Sequence, residues 1–197
     1  MIMYFLRHGN TERQDELQKI LESYDYEYDM KRNLTAKGRQ QARRRKRQLG
    51  NPVFDLCVVS PPKRCKQTAE ILLGDSQIEM IEVPTLYPAP EGEAGKLMWE
   101  VFRELLYAPL SVYLESKIGE VMVENGKVNA EAIRRIIANY PAEPQRILIV
   151  DHAVTLQATG QNFTIERWPF SRSVGEVEGF MIDAPSKTAT IIKDSSI

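Results

Sequence analysis

The chain has 197 residues, 43% of them hydrophobic, enough for one well-buried core and few for two, so a single domain over residues 1–197 is expected. Its 26 basic and 27 acidic side chains leave a formal net charge of -1, which offers no global attraction to nucleic acid or to an acidic membrane surface. Two cysteines, Cys57 and Cys65, are read as reduced thiols, because a domain of this size needs no bridge.

The apolar run from Ile2 to Leu6 is short and bounded by Arg7, which suits a buried strand and is too short for a signal peptide or a membrane span; a cytoplasmic location is expected. A helix opens at Leu34-Thr35-Ala36, with Thr35 as its cap, and runs to Leu49 before Gly50-Asn51-Pro52 stops it. Leu34, Gly38, Ala42, Arg45 and Leu49 share one face of it. A second strand reads Asp55 to Ser60, and Pro61-Pro62 leads into a helix from Lys63 to Leu73. Ile78 to Val83 reads as a third strand.

From Pro84 to Gly126 the alternation lapses into a loop and then a helix carrying Leu97, Met98, Val101, Phe102, Leu105 and Leu106 on one side, which reads as an insertion over the sheet. Regular order resumes with a helix after Asn129, the strand Arg146–Val150, and a helix from Ala153 to Gly160. The segments 179–182 and 188–192 read as a hairpin at the sheet edge. Helices between apolar strands imply an α/β three-layer sandwich: a mostly parallel central sheet with helices on both faces and a short inserted cap at about 84–126. Such folds bind ligands at the carboxyl ends of their parallel strands.

Unusual chemistry falls at those ends. The first strand ends in Arg7-His8, the second leads to Arg64, and the fourth ends in Asp151-His152; these are the chain's 2 histidines. Together, Arg7-His8-Gly9-Asn10-Thr11, Leu34-Thr35 with Gly38 and Gln41-Ala42, Ser60-Pro61 with Arg64 and Gln67-Thr68-Ala69, and His152 resemble the histidine phosphatase superfamily, also called phosphoglycerate mutase-like. The resemblance implies that His8 attacks phosphorus and becomes a transient phosphohistidine, that Arg7 and Arg64 supply forked donors to the phosphoryl oxygens, and that His152 hydrogen-bonds the transferring group. It also implies a carboxylic acid after the third strand that protonates the leaving oxygen. Glu91 is the preferred candidate and Glu93 the alternative. Asn10, Gln14, Ala153 and Glu93 are assigned to substrate and phosphate binding, Gln14 standing where relatives often carry Asn. Asp151 precedes His152 where a small or hydroxyl residue is usual, and strand alternation favours its pointing away from the pocket.

Competing readings are weaker. The run Arg43 to Arg47 wraps around its helix without interleaved aromatics and reads as a solvated surface, so no nucleic-acid partner is expected. A cysteine-dependent mechanism fails on spacing, since the six residues between Cys57 and Arg64 are one too many for a thiolate loop. Two histidines beside arginines make a poor cation site, so no metal and no cofactor are expected. Trp168, Phe170 and Arg172 are read as either the pocket mouth or a packed loop. The short insertion carries no second basic cluster near Glu91, so hydrolysis of a small phosphate monoester is expected, with a mutase-type transferase or a non-catalytic phospho-ligand module as alternatives.

Overall fold

The computed structural model describes residues 1–11, 25–106, 108–166 and 170–193; Gln14 and Trp168 lie outside them. Strand β1 (Ile2–Arg7) is followed by a short helix α1 (Tyr26–Lys31) and by α2 (Ala36–Gln48), whose first turn is capped when the Gly38 amide donates to the Thr35 hydroxyl at 3.0 Å. Then come β2 (Leu56–Val59), α3 (Lys63–Leu73), β3 (Met80–Glu82), α4 (Glu93–Leu105), α5 (Leu110–Leu114) and α6 (Gly119–Asn139). Strand β4 (Arg146–Asp151), helix α7 (Ala153–Gly160) and strands β5 (Gly179–Asp183) and β6 (Thr188–Ile192) complete the order.

The six strands form one sheet in the order β3-β2-β4-β1-β5-β6. The first four are mutually parallel, and β5 and β6 run antiparallel to their neighbours. Alternation along β1 splits the core in two. Met3 and Phe5 face Leu110, Tyr113 and Ile133 of the α4–α7 layer, whereas Tyr4 and Leu6 face Cys65, Ala69 and Leu72 of α3. Phe5 stacks on Phe180 across β1 and β5 at 5.1 Å, and each fully buried ring contributes about 1.5–3 kcal/mol.

Two elements and one side chain depart from the sequence reading for identifiable reasons. Strand β3 is shorter than Ile78–Val83 because it pairs only with Cys57–Val59 of β2. Helix α6 begins at Gly119 rather than after Asn129, so the expected cap boundary falls inside a helix; Gly126 weakens the helical signal, yet a Cβ there would run into the Ala158 carbonyl of the crossing α7. Arg45, at the centre of the basic run, is buried: its guanidinium donates to the Val177 carbonyl at 2.7 Å and to the Lys193 carbonyl at 2.7 Å, tying α2 to the far end of the chain.

Candidate active site

The parallel register determines what meets. Arg7 of β1 stands opposite Asp151 of β4, so the next residues, His8 and His152, emerge side by side with ring centroids 5.1 Å apart. Val59 of β2 pairs with Val150, which brings Ser60 to the same level. Ser60 Oγ lies 3.2 Å and Cys65 Sγ 3.7 Å from His152 Nε2. Arg64 sits in the first turn of α3, just after the Pro61-Pro62 corner. A cavity of about 230 Å³ opens above these ends, lined at its floor by Arg7, His8, Arg64, His152 and Ala153.

His8 Nδ1 lies 2.8 Å from the carbonyl oxygen of Gly9. A carbonyl only accepts, so Nδ1 carries the proton and Nε2 is left with its lone pair. Burial, and after it the charges of Arg64, His152 and Arg7, hold the His8 pKa well below its ordinary value; burial, Arg64 and Arg7 do the same for His152. Both imidazoles are therefore neutral at pH 7. The glycine after His8 is required by packing, since a Cβ on Gly9 would lie 2.8 Å from the Gly38 carbonyl oxygen. Its amide donates to Thr68 Oγ1 at 3.2 Å, and that hydroxyl donates in turn to the Arg64 carbonyl at 2.8 Å.

Asp29 is the central carboxylate of the site. It accepts from Arg64 Nη2 at 2.7 Å, from Arg32 Nη1 at 2.7 Å and from the Tyr87 hydroxyl at 2.7 Å, while its backbone carbonyl accepts from Arg64 Nη1 at 2.5 Å. Burial alone would raise its pKa, but the two guanidinium groups and the Tyr87 hydroxyl outweigh burial and hold the carboxyl well below the usual carboxylate range. A second carboxylate, Glu176, lines the cavity and accepts from Asn10 Nδ2 at 2.7 Å and Gln41 Nε2 at 3.0 Å.

The remaining sequence assignments fare differently. Ala153 lines the cavity. Asn10 does not; its amide is engaged by Glu176, and its Oδ1 accepts from the Thr35 hydroxyl at 2.7 Å. Glu91 and Glu93 are both exposed and outside the lining: the chain leaves the core after the buried Ala89, and Glu93, beyond Gly92 (φ 92°), pairs with Lys96 at the surface. Phe170 packs edge-on against Phe180 and Arg172 pairs with Glu178, so neither shapes the cavity mouth. Asp151 is fully buried and outside the lining, and burial pushes its carboxyl well above the usual range despite the His152 amide and Arg64 nearby. Cys65 is equally buried, and burial raises its thiol far beyond ordinary reactivity.

This geometry has relatives. The family model of the histidine phosphatase superfamily (branch 1) matches residues 3–172, and the chain belongs to that superfamily. Among solved structures it resembles Bacillus stearothermophilus YhfR, with a TM-score of 0.64 and 19% identity over 100% of this chain and 97% of that one. It also resembles the alpha-ribazole phosphatase of Shigella flexneri, with a TM-score of 0.63 and 22% identity over 98% and 95% of the two chains. At these identities the likeness is one of fold. In sequence it is 40% identical over 76 residues to the Arabidopsis thaliana protein named "Probable 2-carboxy-D-arabinitol-1-phosphatase", a match covering 39% of this chain and 14% of that protein.

Among the described residues no helix is long and apolar enough to cross a membrane. None of their His, Cys, Asp and Glu side chains form a group of three that could hold a metal ion.

Proposed function

We propose that the protein is a phosphatase that hydrolyses small phosphate monoesters through a phosphohistidine on His8. The observation that carries this reading is the Nδ1 contact to the Gly9 carbonyl at 2.8 Å, which leaves Nε2 as a lone-pair nitrogen between two arginines and a second neutral histidine. Family membership and the phosphatase names of the relatives support the same reaction.

In the first step His8 Nε2 forms a bond to phosphorus as the ester P–O bond breaks, and the departing alkoxide takes a proton from a water molecule in the open cavity, leaving hydroxide. Arg7, Arg64 and His152 donate to the equatorial oxygens, where charge builds. In the second step water attacks the phosphohistidine, the P–N bond breaks, and inorganic phosphate leaves. Glu91 and Glu93 stand outside the cavity lining, which argues against either as the proton donor. Arg64 is held toward Asp29 before substrate arrives, so the phosphoryl group meets a guanidinium already fixed by two hydrogen bonds.

The test is hydrolysis of p-nitrophenyl phosphate with and without chelator, for the wild type and His8→Ala, together with detection of acid-labile phosphate on the wild-type chain. Turnover that survives chelator, vanishes in His8→Ala and accompanies acid-labile phosphate is the expected result. An active His8→Ala protein overturns the reading. Tight phosphate binding without turnover identifies a binding module, and phosphoryl transfer between positions of a glycerate or sugar phosphate identifies a mutase.

A further inference from the structure

The cavity is two-sided. One side carries the phosphate chemistry described above, and the other is built by the inserted helices: Trp99, Phe102 and Leu106 from α4 and its end, Tyr113 from α5, and Pro88 from the preceding loop. None of these has a role in phosphoryl transfer. Leu106 is the most informative of them, because it is 65% exposed and held at φ 47°, a left-handed backbone that a Leu adopts only under constraint. Its amide donates to the Phe102 carbonyl at 2.9 Å and its carbonyl accepts from the Tyr113 hydroxyl at 2.6 Å, so two other wall residues pin it in that conformation. A solvent-facing leucine held in place at a cavity wall makes sense when a ligand covers it.

Charge narrows the ligand further. The lining holds four guanidinium groups (Arg7, Arg32, Arg64 and Arg103) against two carboxylates (Asp29 and Glu176), and the difference of two positive charges matches one phosphoryl dianion. Among the described residues the lining holds no excess positive charge for a second anion.

We infer that the substrate is a phosphomonoester whose alcohol is an uncharged aryl-bearing group, seated with its flat apolar face against Phe102, Leu106 and Trp99. This rests on the phosphatase reading and specifies its substrate class. With the phosphoryl group fixed at the floor, the carbon next to the ester oxygen points to the cap, where a ring replaces water on the apolar wall.

The test compares benzyl phosphate with ethyl phosphate, whose leaving alcohols are of similar acidity, so that a difference reports contact rather than chemistry. The wild type is expected to show a kcat/KM at least about tenfold higher for benzyl phosphate. Phe102→Ala, and independently Leu106→Gly, which adopts the positive-φ backbone freely and removes an already exposed side chain, are expected to bring that ratio down toward one. Hydrolysis of both esters at equal efficiency, or a ratio unchanged in both variants, overturns the inference while leaving the phosphatase reading intact. A folded wild type that hydrolyses neither ester nor p-nitrophenyl phosphate overturns both.

Discussion

Replacing Asp151 by Asn isolates a single buried titration. Both carboxyl oxygens of Asp151 are buried, and that burial outweighs the nearby His152 amide and Arg64, raising its pKa well above the unfolded value of about 3.9. Below about pH 4 the folded and unfolded chains both carry the proton, and Asp151 contributes no pH dependence there. As pH rises, the unfolded chain loses the proton while the folded chain keeps it, so wild-type stability falls by about 1.4 kcal/mol per pH unit until the folded pKa is reached. The amide of Asp151→Asn cannot ionise. Its unsatisfied N–H groups cost about 1–3 kcal/mol, but that offset is the same at every pH and does not tilt the line. Urea denaturation of the two proteins at pH 5, 6 and 7 should therefore give a stability difference that moves in favour of the variant as pH rises, by at most about 1.4 kcal/mol per unit. The histidines titrate identically in both proteins and cancel. Parallel stability curves would refute the assignment of a neutral, buried Asp151.

Asp29→Asn leaves Arg64 and Arg32 facing an uncharged partner in a buried site and should cost about 3–5 kcal/mol of stability by urea denaturation, part of it regained on adding inorganic phosphate; a loss under about 1 kcal/mol would contradict the buried pair. Because the chain has only 2 histidines, their imidazole signals are directly assignable by NMR, and neither should show a titration midpoint near 6.5 in the folded protein. The same depression makes the two histidines a source of stability that is fully present above pH 6.5 and is lost as the unfolded chain takes up protons below it. Cys57 and Cys65 are both fully buried, with burial pushing the Cys57 thiol up to about 12, so neither should react with iodoacetamide at pH 8 until the chain is unfolded; rapid alkylation of the native protein would contradict this.

The residues that could be read from sequence are those whose signal is local. Arg7 and His8 follow an apolar strand directly, Arg64 opens a helix after a Pro-Pro corner, and His152 ends another apolar strand. Asp29 could not be found this way, because its helix spans six residues and has no apolar period, and its importance comes from Arg64, which is 35 positions away. Glu176 meets Asn10 across 166 positions. Glu91 shows the opposite case: it stands where a family pattern puts an acid, but the pattern carries no information on whether the chain after Ala89 faces the cavity or solvent. The cap wall was visible only as an apolar helix face, and the sequence reading placed Leu97 and Leu106 on the same face as Met98, whereas Met98 is buried in the core and the other two are exposed.

The short contact between His8 Nδ1 and the Gly9 carbonyl has an evolutionary consequence. In enzymes that orient a histidine with a carboxylate, a point mutation can delete the orienting group; here that group belongs to the main chain, and no side-chain substitution removes it. The residue that supplies it is itself locked, since any Cβ at Gly9 would collide with Gly38. The protonation pattern of the ring is thus inherited with the backbone, and surrounding side chains are free to diverge toward new substrates without disturbing it.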